Sequence, residues 1–519
     1  MLRGIYEIAD IAIIKDTVSP YLGTIVNSFK HSFSELVRIL PSSSPEYFTK
    51  TIQQSMPRLA DPENAYWIYQ CNLPSFRETV VSVADAVSTV HPNYLLVIAT
   101  FVFAFFILYI QMKYPFWNQI PALHVYDWHR RFLYSEKPFI IHILPKKTKY
   151  YEPKLVETRK FRNLEETQKS EIAKLLQNHY LPSDRVFCSV KVPDLAAQCA
   201  DAVISMYLQM EEDIVLLNRE EDEKPDVVVK SKVREIEGFI TSRRINTAIS
   251  LGSGDARIIV QEPANYIDYL CFDKKHTSSH KIRKLFHTHE YNTRLATADR
   301  NITLFKKEVE LCDAIIPLVE YESLTFYLRY KIEPRILPTN FQMVRIQREH
   351  VRHLHDWVDR VASLKEDIGS SVSVTAEIGD LIHLLQTNQM FAYALRGPDI
   401  DSKTKLDAVY AIYFFRNAHM KYEDLDGGDT IHAVNAFCNT DDFELYFVGF
   451  QWAVKEARKD FSGTETKMLM VDDLGHLRGI ANRWTNTHDV ILRTKCAYYF
   501  CNYVLPRSPY LAEKVNVLI

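Results

Sequence analysis

The feature that most constrains this chain is an uninterrupted apolar run from Tyr94 to Met112. It has no charged residue, and only Thr100 and Gln111 are polar. At 1.5 Å per residue, a helix of this length spans roughly 28 Å, close to the hydrocarbon thickness of a bilayer. The sequence therefore predicts one transmembrane helix over residues 93–113. A helix buried in a protein core is the alternative, which the apolar residues on every face disfavour.

The flanks of the run predict its orientation. Arg77 is the nearest base before it, whereas Lys113, Arg130 and Arg131 follow it. Since basic residues are enriched on the cytoplasmic side, we expect a single-pass membrane protein with its larger C-terminal part in the cytosol. Residues 1–92 lack the pattern of a signal peptide and are predicted to form a mostly helical extension. A small helical module and a partner-binding segment are equal alternatives for it.

Composition excludes some classes of function. The 519 residues carry a net charge of −3, so charge gives no indication of nucleic-acid binding. The eight cysteines form no C-x-x-C pair and no Cys/His array at zinc spacing, so we expect no metal site and a reducing compartment. Glycine is sparse, with 14 residues, which argues mildly against a glycine-rich nucleotide loop.

Periodicity predicts a mixed α/β chain after the apolar run. Helical spacing indicates helices over Glu165–Tyr180, Val351–Leu364 and Glu377–Thr387. Alternating apolar residues indicate two strands joined by a turn at Gly252–Asp255.

The segment Tyr266–Arg294 combines a strand, a basic loop and a helix. Apolar alternation up to Phe272 predicts the strand, and the spacing of Ile282, Leu285 and Phe286 predicts the helix. The backbone N–H groups and the dipole of a helix N-terminus favour a phosphate, so the loop between them is a candidate anion site. A solvated connection is the alternative for this pattern.

The motif IDYLCFDKKHTSSHKIR, residues 267–283, resembles the signature of glycylpeptide N-myristoyltransferases. The resemblance implies that the backbone amides of Tyr269 and Leu270 form an oxyanion hole for the thioester carbonyl. It further implies that the strand and the following loop hold myristoyl-CoA, through Leu270, Cys271, Thr277, Ser278, Ser279, His280 and Lys281.

Other segments extend this resemblance, in the same order along the chain. Phe116 and Trp117 are similar to the aromatic motif that helps to hold the acyl-CoA, and Tyr327 and Asp473 fall in segments similar to those lining the peptide groove. The tail ending at Ile519 is similar to the family's C-terminus. There the terminal carboxylate accepts a proton from the substrate's glycine ammonium, which is sensible because an amine is nucleophilic only when neutral.

The resemblance implies an α/β (α+β) fold of two acetyltransferase-like halves. We expect an acyl-CoA-binding half over residues 114–340 and a peptide-binding half over residues 341–519. The co-substrate would be myristoyl-CoA, with no permanently bound cofactor, and the acceptors would be peptides or proteins with an N-terminal glycine. The membrane anchor resembles that of divergent members from large DNA viruses.

Departures from the pattern leave two alternatives open. Asp268 stands where the family has Asn, the loop has lost most of its positive charge, and the tail is shorter. A carboxylate near developing negative charge would oppose catalysis. One alternative is a catalytically inactive, membrane-anchored structural or scaffold protein, such as a virion component. The other is an enzyme that acylates different amines from short-chain acyl-CoA.

Overall fold

The computed structural model describes residues 92–127, 138–181, 186–215, 229–251, 258–297, 300–328, 334–347, 354–355, 370–398, 408–423, 428–461, 466–505 and 508–519. All but the last residue of the extension predicted over residues 1–92, the turn at Gly252–Asp255 and almost all of the helix predicted over Val351–Leu364 lie outside this description.

The apolar run is helical from Pro92 to Lys113 (α1). Within the described part of the chain, no helix combines the length and apolar character needed to cross a membrane. The transmembrane helix over residues 93–113 stays a prediction. The cytosolic orientation and the viral origin stay predictions.

Residues 114–519 form one compact unit. The helices described in it are Glu166–His179 (α2), Val192–Gln198 (α3), Ser279–Ala296 (α4), Ile378–Gln386 (α5), Phe443–Asp460 (α6) and Leu477–Thr485 (α7). Its strands are Phe139–Ile140 (β1), Val156–Lys160 (β2), Val186–Cys188 (β3), Val203–Val215 (β4), Val229–Leu251 (β5), Ile258–Phe272 (β6), Ile302–Glu308 (β7), Val319–Tyr327 (β8), Gln342–Arg345 (β9), Val372–Ala376 (β10), Met390–Gly397 (β11), Ala408–Tyr422 (β12), Asp429–Cys438 (β13), Thr466–Asp472 (β14), Val490–Cys501 (β15), Tyr503–Val504 (β16) and Val515–Leu518 (β17). Helices α2 and α5 and the strand–helix pair β6–α4 agree with the sequence-based predictions.

Most of these strands belong to one sheet of 15 strands, and β1 pairs separately with β16. Along the sheet the order is β17-β10-β5-β6-β7-β15-β8-β14-β13-β12-β11-β9, with β4 also on β5, β2 on β4 and β3 on β12. Strand β15 lies between β7 and β8, and β10 and β17 continue the sheet beyond β5. The two predicted halves therefore share one sheet.

Helices cover both faces of this sheet. On the first face, α4 packs through Leu285 and Phe286 beside β6 and β7, and Phe450 of α6 and Trp484 of α7 pack farther along. On the second face, α2 and α3 pack against β5 and β6, and α5 packs against β11 and β12. Between these helices the central strands carry polar side chains on the second face. We call this row the polar strip; its members are Lys306, Tyr498, Tyr321, Ser323, Asp472, His432 and Arg416.

Candidate functional site

Two parallel strands separate at the predicted signature. Strand β6 pairs with β7 only from Ala264 to Ile267, and the last pair joins Ile267 to Phe305. Beyond that pair, Asp268–Phe272 has its described strand partner, β5, on one side only. Because each backbone residue offers a donor and an acceptor, the side that faced β7 is open to pairing with a ligand.

A bulge begins where the strands part. Leu270 is opposite Ile240 and Ile267 is opposite Ser242, so β6 has one residue more than β5 in this interval. Within the bulge, the amide of Tyr269 donates to Oγ1 of Thr241, 3.2 Å away. The amide of Asp273 likewise donates toward β5, to the carbonyl of Glu237 at 2.8 Å.

This pattern changes the predicted oxyanion hole. Since N–H groups alternate in direction along a strand, Tyr269 and Asp273 point toward β5 and Leu270 points to the open side. The Leu270 amide is therefore the better-placed donor. The Tyr269 amide, which the resemblance paired with it, already has a partner in Thr241.

The side chain of Tyr269 connects β6 to β12 through a hydrogen-bond network. Its hydroxyl donates to Oε1 of Gln198 in α3. Nε2 of Gln198 lies 3.1 Å from Nε2 of His419 in β12 and 3.1 Å from Oε1 of Gln389. Beside this network is a cavity of about 260 Å³. Hydrogen bonds of both its backbone and its side chain therefore fix Tyr269 in place.

Asp268 is neutralised by an ion pair, which corrects the expectation that its charge opposes catalysis. Nε of Arg243 lies 2.6 Å from Oδ2 of Asp268, and Nη2 donates to Oδ1 at 3.3 Å. Both side chains are largely buried, at 9% and 15% exposure. Burial acts to lower the pKa of Arg243, but Asp268 and Tyr266 raise it overall, so the guanidinium stays charged. The two-point contact fixes the carboxylate in place.

Cys271 faces α2 and is a packing residue. It is buried, and its Sγ lies 3.5 Å from the carbonyl oxygen of Leu175. Burial raises the pKa of its thiol to about 12, so the thiol stays neutral near pH 7.

The loop after β6 leads into the N-terminus of α4. Ser278 is the N-cap, and its hydroxyl accepts from the Lys281 amide. Thr277, Ser279 and His280 are exposed beside it. An α-helix leaves N–H groups of its first turn without partners inside the helix, so these residues surround a site suited to an anion.

Several cations lie at or near this site. Lys281 is engaged, because its Nζ lies 2.7 Å from Oε2 of the buried Glu237. Arg283 contacts the ring of Phe116, with 5.9 Å between guanidinium and centroid. The pKa of His280 is lowered by burial and by the charges of Lys284, Lys149 and Arg283. Lys284 is itself paired with Glu152, with 2.8 Å between Nζ and Oε2, so Arg283 and Lys149 are the cations that we expect to attract an anion here.

The predicted aromatic motif joins this site. Phe116 is buried and makes edge contacts with Trp117, Tyr150 and Phe286. The ring of Trp117 stacks on Phe305, with centroids 5.9 Å apart. Since Phe305 belongs to the last pair of β6 and β7, the motif packs where these strands separate.

The two predicted peptide-binding residues lie apart. Tyr327 ends β8 on the second face, in line with Tyr321 and Ser323. Asp473 follows β14; burial raises the pKa of its carboxyl, and Arg478 and Arg493 oppose this. Its neighbour Asp472 belongs to the polar strip instead.

The C-terminus is buried beside β17, the strand at one end of the sheet. Strand β17 pairs in parallel with β10, and Nδ2 of Asn435 donates to the carbonyl of Val517 at 2.8 Å. Ile519 is 6% exposed and belongs to the same apolar cluster as Tyr266 of β6. The chain end is therefore buried on the side of the sheet that carries the polar strip.

Comparison with known proteins identifies the fold. No protein-family model matches the sequence, and no curated protein matches it. Among solved structures, Saccharomyces cerevisiae N-myristoyltransferase with bound myristoyl-CoA aligns with a TM-score of 0.51 and 12% identity, covering 79% of this chain and 94% of that chain. The same enzyme with myristoyl-CoA and inhibitors aligns with a TM-score of 0.52 and 11% identity, covering 78% and 96%. The chain has the N-myristoyltransferase fold, as the sequence predicted.

Proposed function

We propose that this chain is an acyl-CoA-dependent N-acyltransferase that transfers a myristoyl group from myristoyl-CoA to an N-terminal glycine. The observation that supports this most is the separation of β6 from β7 after Ile267. It gives an unpaired strand edge next to a helix N-terminus, in a fold whose solved examples hold myristoyl-CoA.

The donor would bind from the side of α4. The pyrophosphate of CoA would lie at the N-terminus of that helix, near Ser279, His280 and Arg283, with Lys149 adding charge. The pantetheine amides would pair with the open edge of Asp268–Phe272, as an added strand would. No permanently bound cofactor is needed, because the thioester is itself the activated group.

The reaction exchanges a thioester for an amide. The neutral glycine amine attacks the thioester carbonyl, and the Leu270 amide donates to the oxygen that becomes negative. The C–S bond then breaks, CoA leaves as the thiol, and the nitrogen loses one proton. The terminal carboxylate of Ile519 is the proposed acceptor of the ammonium proton that makes the amine neutral.

The test uses the full chain, myristoyl-CoA and a glycine-initiated octapeptide. Calorimetry measures binding of myristoyl-CoA, and a thiol reagent measures release of CoA after the peptide is added. We expect binding, and release that depends on a free N-terminal amine. An acetylated peptide is the matched control. Binding without release from any glycine peptide would refute the proposed transfer.

One set of contacts favours a second candidate, an inactive scaffold of the same fold. The Tyr269 amide and the Lys281 ammonium, which the resemblance assigned to the oxyanion and to phosphate, are both engaged within the protein. A scaffold of this kind would show neither binding nor release. The remaining alternative is an enzyme that acylates other amines from short-chain acyl-CoA. Release of CoA from short-chain donors in the same assay, and not from myristoyl-CoA, would identify it.

A further inference from the structure

Arg416 of β12 is a cation of the polar strip with no carboxylate beside it. Its Nε donates to Nδ1 of His432 at 3.3 Å. Among the described residues this is the one hydrogen bond of its side chain, and no acidic side chain there forms an ion pair with it within 4 Å. The residue as a whole is partly buried.

His432 holds Arg416 in place. Because Nδ1 of His432 accepts from Arg416, its proton is on Nε2, and that atom lies 3.1 Å from Oδ2 of Asp472. The two side chains are 2% and 6% exposed. Burial, with help from the charges of Arg416 and Lys306, lowers the pKa of His432 despite the opposing effect of Asp472. The imidazole is therefore a neutral link that orients the guanidinium.

Two other cations on the second face near β6 are already paired. Arg243 binds Asp268, with 2.6 Å between Nε and Oδ2, and Lys306 binds Glu308, with 2.7 Å between Nζ and Oε1. Arg416 is linked to the carboxylate of Asp472 only through His432. A partly buried cation with no carboxylate in contact is stabilised when an anion binds to it, so this arrangement suits an anionic ligand.

Arg416 faces β6 from the second half of the chain. Its charge acts on the phenols of Tyr266 and Tyr269 and on Asp268. All of them lie on the second face, whereas α4 and its anion site lie on the first face. An anion at Arg416 is thus separated by the sheet from the phosphates of an acyl-CoA donor, and it would belong to the acceptor.

We propose that Arg416, oriented by His432 and Asp472, binds a carboxylate of the acceptor close to the amine that is acylated. This inference rests on the proposed function. The carboxylate comes either from an acidic side chain near the N-terminus of a glycine peptide or from the α-carboxylate of free glycine. Arg416 is then a specificity-determining residue, since its guanidinium matches a carboxylate in a two-point contact.

The test measures acceptor binding and acyl transfer separately on the full chain. Fluorescence anisotropy with labelled octapeptides compares Glu with Gln at positions two, three and four, in the presence of a non-hydrolysable myristoyl-CoA analogue. Glycine and glycinamide are compared as competitors, because they differ only in the carboxylate. In at least one of these pairs, we expect the wild type to bind the charged member more tightly than the neutral member, by about tenfold or more in Kd.

Two variants test whether Arg416 causes this preference. Arg416→Gln should reduce the ratio of the two affinities to about one, and Arg416→Lys should restore part of the preference. If Arg416→Gln does not fold, His432→Gln provides the second variant, and it should weaken the preference by releasing the guanidinium. Equal binding of every charged and neutral pair by the wild type would overturn the proposal, as would a preference that survives Arg416→Gln. If the wild type prefers the charged acceptor but releases no CoA, the role of Arg416 in binding is supported and only the proposed transfer reaction is refuted.

Discussion

Replacing Asp268 by Asn should destabilise the protein and not activate it. The substitution restores the residue of the N-myristoyltransferase pattern, and on sequence alone it should relieve a charge that opposes catalysis. The structure gives the opposite expectation, because the change leaves Arg243 charged at 9% exposure with its ion-pair partner removed.

The magnitude follows from the burial of the pair. Removing one partner of a buried ion pair costs 3–5 kcal/mol, and Asn keeps some polar contact, so we expect a loss of about 3 kcal/mol. The unfolding entropy of roughly 400 residues, at about 2.1 cal/mol/K each, converts this loss to about 4 °C in Tm. Calorimetric melting of the wild type and the variant at pH 7 measures the shift.

Two controls isolate the ion pair. Glu322→Gln breaks the exposed pair with Arg493, whose Nη1 lies 3.2 Å from Oε2, and should change the stability by less than about 1 kcal/mol. The double variant Arg243→Gln/Asp268→Asn should recover part of the loss, because no buried charge is left alone. An Asp268→Asn protein that melts within 1 °C of the wild type, or that releases CoA faster at unchanged Tm, would refute the reasoning.

Three further perturbations test separate parts of the structure. Arg283→Gln should weaken binding of myristoyl-CoA several-fold in calorimetry. Lys281→Gln should change this binding little, because Lys281 is paired with Glu237. Equal losses of affinity in the two variants would mean that Lys281 also reaches the phosphates. Extending the chain by three residues after Ile519 should abolish CoA release and also lower Tm, since Ile519 is buried; normal turnover would exclude the terminal carboxylate as base. Burial lowers the pKa of His289 to about 3, so the unfolded state alone takes up its proton between about pH 6.5 and 3, and stability falls as pH falls through this range. His289→Asn should flatten that decline in urea unfolding, and an unchanged slope would contradict the assignment.

The sequence predicted the elements whose signals are local. The alternation that ends at Phe272 and the spacing of Ile282, Leu285 and Phe286 marked β6 and α4 without any tertiary information. Collinear short motifs then predicted the N-myristoyltransferase fold, which the structural comparison confirms.

The partners of the site residues could not be predicted in the same way. Arg243 lies 25 residues before Asp268, and Thr241 lies 28 residues before Tyr269, so only the pairing of β5 with β6 brings them together. Arg416 and His432 meet across another strand pair, in a segment where no family motif drew attention to them. A buried charge in an apolar strand, such as Arg416 in AIYFFRNAH, was the available signal.

The position of β15 between β7 and β8 has a consequence for synthesis of the protein. Strands β7 and β8 leave the ribosome early, but the strand that fills the gap between them begins only at Val490. At 5–20 residues per second, the two edges wait on the order of 10–30 s for their partner. Unpaired edges of this kind recruit other chains. A nascent chain of this protein therefore exposes these two edges until its last strands emerge, and we expect a chain that ends before β15 to be prone to aggregate.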